Sequence, residues 1–463
     1  MAEAKFLTGS LFRHVTVMSL TASVGLMAVF FVDFVDLIFI SMLGKAELAA
    51  AVGYAGAILF FTTSFGIGMA ISAGALVARA LGADDTLLAR ERTTHALAYG
   101  AIFACVLTLV VWIFLDPLVA LLGARGETAT LSSEYMRIVL PSTPVFILGM
   151  MGGAVLRAHG DARRAMMATI AGGVINAAVA PILIFALSLE LAGAAIASVI
   201  ARFVICALAL APLARIYGGI TRPHISGMSR DLRPILGIAV PAILAQIATP
   251  VGQAFVTRAM AAYGEEAVAG MAIVGRLIPV AFGVVFALSG AIGPIIGQNY
   301  GAGNLDRVRR GFNAAIIFVT IVTLLISAVL FALRVFIADI FDAYGLTREL
   351  IYLFCGPLSL TFFFLGILFV ANAAFNNLGQ PFLSTFTNWG RNAVALIPFV
   401  WLGAWIYGAQ GVLIGQALAG VLFGGIAWVL ALRVIQQAGS QDPPKQEIFG
   451  REGRLMTLFH ARR

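Results

Sequence analysis

Between residues 12 and 434 the chain is built almost entirely of apolar stretches, each more than about 20 residues long, separated by short polar loops. A helix of that length crosses a bilayer. Hydrocarbon offers no partner for backbone N–H and C=O groups, so each segment must pair its own. The recurrence of such runs predicts an all-α polytopic membrane protein. The punctuation gives twelve spans, at 12–44, 46–80, 92–123, 132–157, 164–187, 191–215, 233–263, 266–299, 310–340, 348–376, 380–406 and 409–434. Several are longer than a bilayer needs, so they must tilt or protrude. Composition agrees: of 463 residues, 61% are hydrophobic and 11% charged, against about a quarter charged in soluble domains. The first run is too long for a signal peptide, and no small-residue cleavage site follows it.

The net charge of +8 suggests nucleic acid until its placement is read. Basic residues cluster in alternate loops, at Arg79, Arg90 and Arg92, then Arg157, Arg163 and Arg164, then Arg215 to Arg233, then Arg307 to Arg310. The intervening loops are poorer in cations and carry Glu47, Glu127, Glu190, Glu265, Glu266, Asp342 and Glu349. Cations collect on the cytoplasmic side of membrane proteins. The pattern therefore predicts a multi-pass protein of the plasma (inner) membrane with both termini cytoplasmic. The surplus charge meets anionic lipid rather than nucleic acid. Cys105, Cys206 and Cys355 are far apart within apolar runs and read as core side chains, with no disulfide or metal framework.

The chain also repeats itself. Leu81–Arg90 aligns with Tyr300–Arg309 at an offset of 219 residues, which also pairs Gly74 with Gly293 and Gly160 with Gly379. Each repeat holds six spans, so both lie the same way up, about an axis along the membrane normal, with a substrate site between them. The expected divisions are an N-lobe at 1–218, a C-lobe at 219–436 and a cytoplasmic tail at 437–463, joined at the Gly- and Pro-containing basic loop Arg215–Arg233. Within the tail, Ile448–Phe459 is either solvated or a basic segment lying on the membrane.

Asp33 and Asp36 are the only charges between Val15 and Gly44. A carboxylate there is costly, which marks it as functional. Three residues apart, the two share nearly one helix face, and at least one should hold a proton near neutral pH. That is proton-carrier chemistry; lining an ordinary polar cavity is the alternative. By the repeat, their partners in the second half are Gln253 and Val256.

Residues 36–50 (DLIFISMLGKAELAA), 78–83 (ARALGA), 297–304 (GQNYGAGN), 156–161 (LRAHGD) and 193–198 (GAAIAS) resemble signatures of multidrug and toxic compound extrusion (MATE) transporters, in order along almost the whole chain. The resemblance implies two six-helix lobes in a V around a central cavity. It implies export of small organic, often cationic, compounds in exchange for protons or sodium ions, by a monomer that needs no cofactor and is not an enzyme. It assigns cation coupling to Asp36 and Asn176, with Ser198 at the position of a threonine in the sodium-binding pattern. That pattern also has an aspartate where this chain has Ala180, which weakens a sodium site unless Asp33 supplies the missing acid from another direction. NorM-like members carry acids in helices 7 and 10. This chain has none there and looks more DinF-like. Thr21 stands where the family often has proline, so any first-helix bend rests on Ser19, Thr21, Ser23 and Gly25, or is smaller.

Gln246 and Gln253 on helix 7 are substrate-cavity candidates. Asn372 and Asn376 either line the cavity or bond helix to helix. Arg391, well inside helix 11, either bonds backbone carbonyls or faces the cavity, as do Arg202 and Arg276. Phe362–Phe364 suits an aromatic cation or lipid-facing packing. His14, His95 and His159 read as interfacial. The rival functions are sodium-coupled efflux and a flippase for a lipid or polysaccharide precursor, which calls for a strongly basic cavity.

Overall fold

A computed structural model describes residues 4–440, with the side chains of Asp33, Leu37, Ser41, Ala46 and Ser440 outside the described set. The tail segment Ile448–Phe459 also lies outside the described residues. The first six spans are α1 (Leu11–Ser41), α2 (Ala46–Gly82), α3 (Thr86–Ile113), α4 (Gly126–Ala158), α5 (Ala162–Ala186) and α6 (Glu190–Arg215). The next three are α7 (Ile225–Ala261), α8 (Glu265–Gly301) and α9 (Leu305–Ile340). The tenth, α10, is a broken span, Gly345–Leu358 and Phe362–Asn377, bent by 59°. Pro357 sits at the break, where a missing N–H opens the helix.

The last apolar element, Phe382–Gly439, is 58 residues long and folds back on itself. Gly408 has φ 58°, ψ −136°, far from helical. On either side the backbones touch: a Cβ at Gly403 would fall 2.2 Å from the Gly411 carbonyl oxygen, and one at Gly415 would fall 2.3 Å from that of Phe399. Partners that separate evenly about the turn define an antiparallel hairpin, so the element supplies α11 before Gly408 and α12 after it. Twelve spans result among the described residues, as the apolar runs predict.

Loop chemistry on the basic face is also repeated. Asp85 caps α3 by accepting the Leu88 N–H at 2.8 Å, and Asn304, its repeat partner, caps α9 by accepting that of Arg307 at 3.2 Å. The residue before each cap is left-handed: Asp84 at φ 60° and Gly303 at φ 71°.

The first helix of each half crosses to the other. Val15 and Met18, at the basic end of α1, are buried with Leu288, Ile292, Phe312 and Phe375 of the second half. Ile40, at its far end, is buried with Ala180 and Ala194 of the first. In α7, Ile235, Ile238 and Ala239 join Leu76 and Val155, whereas Val256 and Met260 join Val412 and Ala419. Helix α1 itself runs unbroken from Leu11 to Ser41, so the absence of proline at Thr21 goes with an uninterrupted first helix.

Candidate functional site

Helices α1 and α5 run side by side in parallel register. A Cβ at Gly25 would meet the Met166 backbone at 3.5 Å, and one at Gly173 would meet Val32 at 2.9 Å, seven residues further along both helices. The same register carries Asp36 to the level of Ala177, beside Asn176. Asp36 is half-buried, with Oδ1 shielded from solvent. Asn176 is buried; its Nδ2 lies 3.5 Å from Ser198 Oγ on α6, while its Oδ1 has no hydrogen-bond donor among the described residues. Pro181 in α5 has no N–H, which deprives the Ala177 carbonyl of its helical donor at this level. A π-turn over Ile182–Ala186 follows. The site therefore offers a carboxylate and spare oxygen acceptors within hydrophobic walls. Ala180 is fully buried and adds no oxygen ligand from its side chain. The Asp33 side chain is outside the described residues. Among the described residues no three His, Cys, Asp or Glu side chains converge as a metal site.

On the basic face the two halves are closed backbone to backbone. A Cβ at Gly82 would lie 1.9 Å from the Gln298 carbonyl oxygen, and one at Gly301 would lie 2.0 Å from that of Arg79. These are the same contact twice, exchanged by the 219-residue repeat. Arg79, buried, donates to the Asn376 carbonyl at 2.6 Å.

The segment before α1 straps this seam. Phe6 is buried, and its N–H donates to Gln298 Oε1 at 2.9 Å, while Gln298 Nε2 donates to the Ala158 carbonyl in the first half at 2.8 Å. Arg307 donates to the carbonyls of Phe6, Thr8 and Gly9, and Lys5 Nζ reaches the Gly160 carbonyl at 3.2 Å. Beside it lies a cavity of about 360 Å³ lined by Lys5, His159, Asp161, Arg164 and Tyr217. His159 stacks on Tyr217 at 4.3 Å, and burial pushes its pKa down to about 4. Burial and a hydrogen bond to Asp161 push Tyr217 up to about 12. Burial alone would raise the Asp161 carboxyl, but hydrogen bonds from Arg164 and Tyr217 outweigh it and hold it below the ordinary value.

Other expected candidates separate. Asn376 is buried and accepts from Ser384 at 3.2 Å, and Asn372 accepts from Thr387 at 3.3 Å, so both bond α10 to α11. Arg202 bonds the Val139 carbonyl and Ser142 and covers the Phe146 ring. Phe362 stacks on Phe282 at 4.0 Å as core. Gln246 is half-buried, Gln253 and Arg276 are exposed, and Arg391 is half-buried on a π-turn over Gly390–Ala395. Two sequence expectations are corrected. Among the cysteines only Cys355 is buried; Cys105 is exposed and Cys206 half-exposed. His95 is buried rather than interfacial, with Nδ1 2.6 Å from Asp231 Oδ2 across the halves. Sequence carried no signal for that pair, nor for the strap, because their members lie over a hundred residues apart.

Twelve spans, an internal two-fold repeat and a carboxylate inside a hydrophobic bundle define a membrane transporter rather than an enzyme. Residues 22–182 and 241–402 match the MatE family, two segments that begin one repeat apart, and the chain belongs to that family. The Vibrio cholerae MATE transporter VcmN, solved as a point mutant, superposes with a TM-score of 0.88 at 26% identity, over 93% of this chain and 99% of its own. The fold also matches a MATE transporter solved in an outward-facing conformation, at TM-score 0.88 and 22% identity, over 95% and 99% of the two chains. Among curated proteins the chain is 28% identical to the FAD transporter of Shewanella oneidensis, over 90% of this chain and 94% of that one. It is 24% identical to the multidrug export protein MepA of Staphylococcus aureus, over 70% and 72%.

Proposed function

We propose that this protein is a proton-coupled antiporter that exports small organic compounds across the plasma (inner) membrane, with the basic face and both termini in the cytoplasm. The observation that carries the reading is the α1–α5–α6 site. It brings Asp36 to the level of the Asn176 oxygen, which has no hydrogen-bond donor among the described residues, while the second half has no Asp or Glu between its faces. The confinement of acids to one half is also the DinF-like pattern. Residues 1–218 and 219–436 would rock as lobes, closed on the cytoplasmic side in the conformation described. Proton uptake at Asp36 from outside changes its bonding to α5 and shifts α1. Because the basic end of α1 packs in the second half, that shift reaches the seam between the lobes. Asp33, on nearly the same face of α1, would share the proton. Sodium is disfavoured because a hard cation is held best by charged oxygen ligands, and Ala180 stands where the sodium-binding pattern has a second carboxylate. One proton moving through about 150 mV supplies roughly 3.5 kcal/mol, enough for a gradient of a few hundredfold.

The test is counter-transport of ethidium in vesicles under an imposed pH or sodium gradient. Asp36→Asn should abolish pH-driven transport, and a sodium gradient alone should drive none. Normal pH-driven transport in Asp36→Asn would sink the assignment.

A further inference from the structure

The repeat places a second polar cluster, of opposite charge, one helical turn from Val256, the counterpart of Asp36, and at the level of Gln253, the counterpart of Asp33. In the first half Gly173 of α5 packs against Val32 of α1; in the second, Gly252 of α7 packs against Asn392 of α11, with a Gly252 Cβ falling 3.1 Å from Asn392 Oδ1. Next to that contact, Gln416 Nε2 on α12 lies 3.4 Å from Gln253 Oε1 on α7. One turn along α12, Gly420 faces the Arg391 guanidinium, a Cβ there falling 3.7 Å from Nε. Arg391 lies about nine residues, roughly 14 Å, into its helix. The π-turn at Gly390–Ala395 re-aims the chain there, because the Phe423 ring packs directly on Gly390.

An arginine at this depth needs a partner or water. Arg391 is half-buried, and among the described residues none accepts a hydrogen bond from it or pairs with it as a carboxylate. The second half offers no Asp or Glu between Asp231 and Glu265, between Glu266 and Asp306, or between Glu349 and the end of α12. Arg157 repeats the motif where the halves meet, its guanidinium against Gly290 of α8, also without a bonded carboxylate among the described residues.

We infer that Arg391, with Gln416 and Gln253, binds the anionic end of the exported compound, a phosphate or carboxylate, so that the protein carries organic anions. A guanidinium matches such groups with paired charge-assisted bonds, and the two amides complete the shell. This rests on the export reading but separates from it, since binding needs no gradient.

The experiment is equilibrium binding of flavin mononucleotide to the purified full-length protein in phosphatidylcholine nanodiscs. Riboflavin serves as the same ring system without phosphate, and ethidium as a cation. The wild type should bind flavin mononucleotide more tightly than riboflavin. Arg391→Gln and Gln416→Leu should each weaken flavin mononucleotide about tenfold or more. Riboflavin and ethidium binding should be unchanged in those variants, which also shows that they fold. Arg391→Lys should retain part of the preference. Equal binding of the two flavins by the wild type, or parallel loss of all three ligands in both variants, overturns the proposal. Loss of flavin mononucleotide binding when anionic lipid is added would assign the site to a lipid headgroup and overturn it likewise. Failure of Asp36→Asn to stop pH-driven ethidium transport would remove the coupling assignment while leaving this binding result standing.

Discussion

His159 lies beside the strap, stacked on Tyr217 and held near a pKa of about 4 by burial. A histidine depressed below its ordinary value binds fewer protons folded than unfolded. Its contribution to stability is therefore complete above about pH 6.5 and is lost as pH falls toward 4. Asp161, also depressed, acts in the same direction at lower pH. The melting temperature of the purified protein should fall between pH 7 and pH 4.5, with His159 contributing about 2 kcal/mol over that range. His159→Phe keeps the stacking on Tyr217 and should flatten the slope. An unchanged slope would place the acid sensitivity elsewhere.

Among the elements, the strap from Lys5 to Gly9 ties α1 to both halves through one side chain. Gln298 accepts from Phe6 and donates to Ala158, all three buried. Gln298→Leu removes both bonds and leaves a buried N–H and a buried carbonyl unmatched, a cost of about 1–3 kcal/mol for each orphaned group. That cost falls only on the conformation closed at the basic face. In a background without Cys105, Cys206 and Cys355, a cysteine replacing Ala158 should become more reactive to a membrane-impermeant thiol reagent when Gln298→Leu is added. Unchanged labelling would show that the strap does not hold the seam. The crossing of α1 gives this element its reach, since its basic end is core for one half and its far end core for the other.

For the whole molecule, the seam of Gly82 on Gln298 and Gly301 on Arg79 is one contact made twice by the pseudo-two-fold. A side chain at either glycine would overlap backbone, which cannot yield as a flexible side chain does. Gly82→Leu and Gly301→Leu should therefore each oppose closure, by at least the roughly 1–3 kcal/mol typical of overpacking. Both should cut transport to a similar extent in the vesicle assay. A silent variant on one side only would show that the halves do not share the load.

Much of this was legible in the chain. Apolar runs fix the number of crossings because an unpaired backbone cannot sit in lipid, and the 219-residue repeat fixes the equivalence of the halves. Asp36 stood out because an acid in a hydrophobic run is costly, and Asn176 and Ser198 were named only through family signatures. The tertiary structure alone placed Asn176 beside Ser198 at the level of Asp36, buried His95 on Asp231, and closed the basic face through Phe6 and Gln298. It also set Arg391 against Gly420 of α12 in the second half. Span and period are local properties, written in neighbouring residues. Pairing between helices depends on register across a hundred residues or more, which a single sequence does not encode in any local pattern.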